Sequence, residues 1–308
     1  MPLSIVIPTY GREEVLCDTI AQLLEQSPAA DEIVVVDQTS VHESRTTDCL
    51  GSWSAAGVIR WVRLTRASQP LACNTGLREA SQPFVLFLDD DIRIGSGFLN
   101  AHLQAFVSDG IHGVVGQVLQ PGQDEDRGCP PPPSDGPLAD LQFPFNSARP
   151  GCIRNGMSGN LCVRRAQALA IGGFDENYLP PVSYRFDSDF CKRLCRSGGT
   201  IVFEPAARIH HLRSPRGGTR SLSSHLTSAS PVHGQGDYYF ALRQGLCWAT
   251  LAYIMRRPWR EVRTRFHLRH PWFVPVKLLG EMRALLLALR LWRQGPRLLP
   301  TKHTNGHE

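Results

Sequence analysis

Phe84-Val85-Leu86-Phe87-Leu88-Asp89-Asp90-Asp91 sets five apolar residues directly against three carboxylates. A run this continuously apolar reads as a strand covered on both faces, which points to a parallel sheet flanked by helices. The three aspartates at its end repel one another, and the residues upstream supply no cation. A divalent ion would balance them, and hard oxygen ligands select Mg²⁺ or Mn²⁺. Asp89 and Asp91, two apart, project to one side of an extended segment and Asp90 to the other. Taken by itself the triplet reads equally as an exposed acidic turn capping the next helix.

Working outward, Leu3 to Ile7 is a β-branched run closed by Pro8, followed by Val15, Ile20, Leu23 and Leu24 at helical spacing. Ile33 to Val36 is a second buried strand ending at Asp37, Val58 to Leu64 is a third, and a helix surrounds Asn74 to Ala80. Alternating strands and helices imply a parallel sheet, and ligands of such sheets sit beyond the carboxyl ends of the strands. Asp37 and Asp89 to Asp91 both fall there and are expected to face one crevice. From Gln120 to Pro150 the pattern dissolves into Pro, Gly and Asp, including Pro130 to Pro133, and reads as a long surface loop or disordered insertion. Order resumes with a strand at Asn160 to Val163, a turn at Gly172-Gly173, a helix at Asp187 to Ser197 and a strand at Thr200 to Phe203. Ser214 to Gly236 reads as a mobile Ser/Gly/His-rich stretch.

The chain has 308 residues, 42% of them apolar, so it can bury a full core and is neither disordered nor a small disulfide scaffold. Nine cysteines without CxxC pairs read as small hydrophobes of a reduced, cytoplasmic protein. No stretch is long and apolar enough to span a bilayer, and the N-terminus has the form of a strand, not a signal peptide. Charge divides unevenly: residues 1–236 hold 20 Lys/Arg against 24 Asp/Glu, and residues 237–308 hold 13 against 4.

Four segments stand in a telling order: Ser4 to Arg12, Glu32 to Ser40, Asn74 to Leu77 and Phe87 to Asp91. Gly159-Asn160, Gly172 to Glu176, Phe186 to Asp189 and Arg193-Leu194 follow. This series resembles family 2 glycosyltransferases over roughly residues 3–212. The resemblance implies the GT-A fold, a Rossmann-like α/β architecture with a mostly parallel central sheet. It divides residues 1–236 into a nucleotide-binding half (about 1–120) and an acceptor half (about 150–236). It also implies a nucleotide-diphosphate-sugar donor, a glycan or lipid-linked acceptor and inversion at the anomeric carbon.

Carried over residue by residue, Thr9 and Asp37 match positions on the base and ribose. Pro8, Tyr10, Arg12, Asp89 and Asp90 lie beside them, and Asp91, with Asp89, matches the metal ligands of the DxD motif. Asp187 aligns with the catalytic base. Phe186 stands where a Glu is usual, so Asp189 offers a second carboxylate; helix capping by both is the structural alternative. Ala72-Cys73-Asn74 lacks the Arg that commonly precedes the Asn, which leaves the diphosphate to Arg66 or Arg78, or to the metal. Gly159 permits close backbone approach to the donor sugar, with Asn160 beside it, and His210 is the candidate to complete the metal shell.

The extension 237–308 carries helical stripes, one through Tyr238, Leu242, Leu246, Ala249 and Tyr253 closing before Pro258, another from Leu278 to Trp292. Arginines between them suit either peripheral contact with an anionic membrane at its inner face or packing on the core or on a second subunit as a homodimer. No nucleic-acid motif accompanies the charge. A nucleotidyltransferase would want a glycine-rich phosphate loop with a Lys, which is absent; an inactive scaffold binding partners through the tail is the alternative from another class.

Overall fold

The computed structural model describes residues 1–128, 133–134, 136–218 and 224–300. Pro130 to Pro132, the end of the extension at 301–308 and part of the Ser/Gly/His-rich stretch, 219–223, lie outside the described residues.

The first half alternates as its apolar runs require: β1 (Leu3–Thr9), α1 (Glu14–Leu24), β2 (Glu32–Asp37), α2 (Ser44–Ala55), β3 (Arg60–Arg63), α3 (Gln69–Glu79) and β4 (Phe84–Leu88). β3, β2, β1 and β4 lie side by side, all parallel, with Thr9 opposite Asp37 and Asp37 opposite Arg63. Their carboxyl ends therefore form one rim. α3 lies close on β1 because residue 76 is glycine: a Cβ there would sit 2.1 Å from Val6 Cγ1.

The second half adds β5 (Ile92–Ile94), α4 (Phe98–Gln104), β6 (Ile111–Leu119), β7 (Gly151–Ile153), β8 (Asn160–Arg164), α5 (Arg165–Ala170), α6 (Phe186–Arg196) and β9 (Thr200–His211). The sheet continues β4-β8-β6-β9-β5, with β7 also on β9. β8 is antiparallel to both β4 and β6, so the sheet is mixed beyond β4 and wholly parallel only before it. The register that opposes Leu88 to Asn160 brings the start of β8 to the end of β4, beside the aspartates. Residues 120–150, expected as a loop or disordered, are tied down where described: Asp126 bridges Ser147 and Phe143 stacks edge-on against Phe203.

The two halves are joined by buried groups. Asn74 on α3 donates to Phe174 O (2.8 Å) and Glu176 Oε1 (3.1 Å) and accepts from Phe174 N (2.8 Å). The Phe174 ring lies between Phe87 and Phe190, edge-on to the first and stacked at 4.1 Å on the second.

The tail forms α7 (Val232–Arg243), α8 (Trp248–Val262), α9 (Arg265–Arg269) and α10 (Phe273–Gln294). The stripe read from Tyr238 to Tyr253 is two helices, divided at Gly245 with φ +97°, and α8 continues through Pro258. α7 is part of the core, with Tyr238, Tyr239 and Phe240 buried. Between α7, α8 and α10 sits a buried ionic cluster. Arg257 pairs with Asp237 (3.1 Å) and Glu281, Lys277 reaches Glu281 (3.1 Å), and Asp237 holds Arg185 (3.0 Å) at the start of α6. Burial opposes ionisation of Asp237 and Glu281, but the adjacent Arg257, with Arg185 and Lys277, holds both carboxyls below their ordinary range. A lowered folded-state pKa means that this contribution is complete above the unfolded values of 3.8 and 4.5 and is lost as pH falls through the folded ones. Arg257→Met, which leaves two buried carboxylates short of a partner, should destabilise the protein by about 3 kcal/mol. Denaturant unfolding at pH 7 measures it, and a change under about 0.5 kcal/mol, the usual range for a surface substitution, would contradict the cluster's role.

Candidate active site

A cleft of about 550 Å³ opens at the rim of strand ends. Its walls come from distant parts of the chain: Pro8 near the end of β1 with Tyr10 and Arg12 after it, Asp89 to Asp91 after β4, Gly159 before β8, Asp187 at the start of α6 and the segment from His211 onward. The strand-end triplet and the α6 carboxylate thus face one space. Gly159 lets the Asp89 carboxylate lie close against the backbone, since a Cβ there would meet it at 2.1 Å and displace it.

The triplet has a cation that sequence proximity does not disclose. Arg12 gives Nε to Asp90 (3.1 Å) and one terminal nitrogen to Asp91 (2.9 Å), while the other terminal nitrogen donates to Ser214 O (2.9 Å) and Arg216 O. All three nitrogens are engaged, so Arg12 organises the acidic floor and pins segment 214–216 over it. Burial pushes Asp90 up to about 6, against the pull of Arg12. Burial acts the same way on Asp91, but hydrogen bonding and charge from His211, then Arg12, hold its carboxyl below the ordinary range. Asp91 Oδ2 also accepts from Ser214 N (2.8 Å). Asp91 Oδ1 faces His211 Nε2 at 3.2 Å, and Asp89 Oδ2 lies 3.9 Å from the same nitrogen.

The histidine expected at this place was His210. Alternation along β9 instead turns His210 to the opposite face, beside Arg93 and Pro205, and brings His211 to the aspartates. Among the described residues no group of three or more His, Cys, Asp or Glu is arranged to hold a metal ion. Asp91 Oδ1 and Asp89 Oδ2 nevertheless both face His211 Nε2, at 3.2 and 3.9 Å, at one edge of the cleft.

Residues 4–160, half of the chain, match the model of glycosyl transferase family 2. The chain belongs to glycosyl transferase family 2. Validoxylamine A glucosyltransferase of Streptomyces hygroscopicus subsp. limoneus is 31% identical over 105 residues, which are 33% of this chain and 23% of that protein. The match to the curated relatives thus spans about a quarter of their length or less. Among solved structures, GalNAc-T7 with UDP, GalNAc and Mn²⁺ superposes with a TM-score of 0.59 at 14% identity, over 89% of this chain and 56% of that one. The mannosyltransferase PcManGT from Pyrobaculum calidifontis with GDP-Man and Mn²⁺ gives 0.52 at 16% identity, over 95% and 79%. S. aureus TarS gives 0.56 at 18%, over 92% and 81%. At such identities the likeness concerns the fold.

Several residues matched to ligand contacts make bonds within the protein in this family 2 glycosyltransferase. Asp37 is enclosed, taking Thr39 N (2.8 Å), Trp61 Nε1 (3.0 Å) and His42 Nε2 (2.9 Å). Thr9 is buried beneath the cleft floor. Asn74 is used in joining the halves, and Asn160 knits β8 to its neighbours through Gln117 O (3.1 Å), Ala207 O (2.8 Å) and His102 Nε2 (2.7 Å). Arg66 and Arg78 are exposed and outside the cleft lining; Arg213, which the sequence reading passed over, lines it and donates to Gln120 Oε1 (2.8 Å). Gln69, at the start of α3, is a second lining residue without a sequence signal.

The two candidate bases separate cleanly. Asp189 is buried and bound to Arg193 (2.7 Å), whose other nitrogens hold Ile171 O (2.8 Å) and Gly173 O (2.7 Å). It positions α6 and does not face the cleft. Asp187 lines the cleft, with Oδ1 accepting from Ser188 N at 2.8 Å, in the first helical turn, where negative charge is favoured.

Proposed function

We propose that this chain is an inverting, metal-dependent glycosyltransferase that moves a sugar from a nucleotide-diphosphate-sugar onto a hydroxyl of a glycan or lipid-linked acceptor. The observation that carries this is the sharing of one cleft by the Asp89–Asp91 triplet and Asp187. Asp91 and His211, with Asp89, would hold Mn²⁺ or Mg²⁺. When bound, the ion offsets charge gathering on the departing diphosphate. Arg213 adds a guanidinium to the same cleft, in place of the Arg that commonly precedes the Asn, where this chain has Cys73. Asp187 takes the proton of the acceptor hydroxyl as the new bond forms, and attack from the side away from the leaving group inverts the anomeric carbon. The enclosure of Asp37 and the burial of Thr9 leave base recognition to Pro8, Tyr10 and Gln69, the groups that face the cleft.

The solved neighbours named for UDP and GDP-Man with Mn²⁺ support a nucleotide donor of one of these types. Free thiols throughout the described cysteines fit the cytoplasm. A peripheral place on the inner face of the cell membrane, reached through residues 237–300, would bring a lipid-linked acceptor to the cleft. Release of nucleoside diphosphate from UDP-, GDP- and dTDP-sugars with Mn²⁺ present tests the reading. One base class is expected to react and to give a product of inverted configuration by NMR. Retained configuration, or release from none of the three, would overturn it.

A further inference from the structure

No described helix is long and apolar enough to cross a membrane, yet α8 turns an apolar stripe to solvent. Trp248 is 84% exposed, Leu251 45%, Met255 72% and Trp259 70%. These positions follow i, i+3, i+7 and i+11 and so share one face. The opposite face is the packed one, with Thr250, Ile254 and Arg257 buried. Arg256 and Arg263, both exposed, stand beside the stripe. The extension withholds its own acidic groups from this surface for a structural reason. Residues 237–300 contain three, Asp237, Glu261 and Glu281, of which Asp237 and Glu281 are buried and Glu261 is paired with Lys277 (3.4 Å) and Arg260 (3.4 Å). The charge that remains outside is arginine.

We infer that α8 is a membrane-docking helix that lies in the interface of an anionic bilayer, with Trp248, Leu251, Met255 and Trp259 among the acyl chains and Arg256 and Arg263 at the headgroups. Two tryptophans on a short apolar stripe flanked by arginines match the apolar and charged layers of such an interface. A second copy of the chain fits less well, because facing stripes would oppose arginine to arginine without intervening carboxylates. With 15 residues, α8 is long enough to lie on the surface and too short to span. Docking needs none of the catalytic groups, so it stands or falls apart from the proposed transfer.

Cosedimentation with phosphatidylcholine vesicles, with and without phosphatidylglycerol, tests it on the whole chain. The protein should pellet with the anionic vesicles and remain in solution with the neutral ones. The Trp248→Ser/Trp259→Ser pair and the Arg256→Gln/Arg263→Gln pair should each weaken binding about tenfold or more, with unchanged melting temperatures because the replaced side chains are exposed. Absence of binding to anionic vesicles, or binding indifferent to the tryptophan pair, would overturn the proposal. So would a dimer in lipid-free sedimentation velocity that the tryptophan pair dissolves, since the stripe would then be covered by a second copy.

Discussion

Asp187→Asn is expected to lower sugar transfer by about 10²- to 10⁴-fold, the usual worth of a positioned general base, while nucleotide affinity and melting temperature stay as they are. The replacement is nearly isosteric, and Asn can still accept the 2.8 Å bond from Ser188 N through its oxygen. What it loses is the capacity to take a proton from the acceptor. The neighbouring acid provides the contrast. Asp189→Asn removes the charge that anchors Arg193 and through it the Ile171 and Gly173 carbonyls, so its effect should appear as a loss of stability of about 3 kcal/mol. Transfer measured by product formation, beside thermal unfolding of both variants, distinguishes these roles. Equal activity of Asp187→Asn and the parent would remove Asp187 from the chemistry.

The second large effect is at the strand-end triplet. Asp91→Asn should weaken Mn²⁺-supported binding of the nucleoside diphosphate at least about a hundredfold, beyond what loss of an outer hydrogen-bonding partner usually costs. Asp91 also anchors Arg12 and accepts from Ser214 N, so this variant is expected to loosen segment 214–216 as well. Asp89→Asn separates the two consequences: its side chain is 29% exposed against 1% for Asp91, and the carboxylates that Arg12 grips are those of Asp90 and Asp91. It should weaken cation-supported binding with a smaller change in stability. Isothermal titration of nucleotide with and without Mn²⁺ reads both.

The parallel half was legible because β1, β2 and β4 are apolar runs, β1 running through Pro8 to Thr9, and burial on both faces leaves such runs little choice. The mixed pairing beyond β4 was not, since direction depends on which strands meet and not on the composition of any one. In the sequence Asp187 matched the base position, but Asp189 offered a second carboxylate that composition could not set aside. On a helix, residues two apart point roughly 200° away from each other, so one faces the cleft and the other the interior. His210 and His211 posed the same question on a strand. The answer depended on β9's registration against β6, which shifts between Gly116 and Val118, and alternation from either end does not reveal such a shift. Asp89 and Asp91 both approach His211, but Asp90 does not point away from them, because the strand ends at Leu88 and the triplet bends, letting Asp90 and Asp91 both reach Arg12. Arg12 itself is 79 residues from Asp91, and only the meeting of β1 with β4 brings it there. In the tail, periodicity showed helices and arginines, but the outward stripe of α8 became visible only when Thr250, Ile254 and Arg257 were seen to take the inward face.

The most direct trial of the assignment is calorimetric binding of the nucleoside diphosphate that corresponds to the reactive donor, with and without Mn²⁺, to the parent chain, Asp91→Asn and Asp187→Asn. Cation-dependent binding that Asp187→Asn keeps and Asp91→Asn loses is the predicted result. Binding that ignores Mn²⁺ and survives Asp91→Asn unchanged would contradict a cation site at the end of β4.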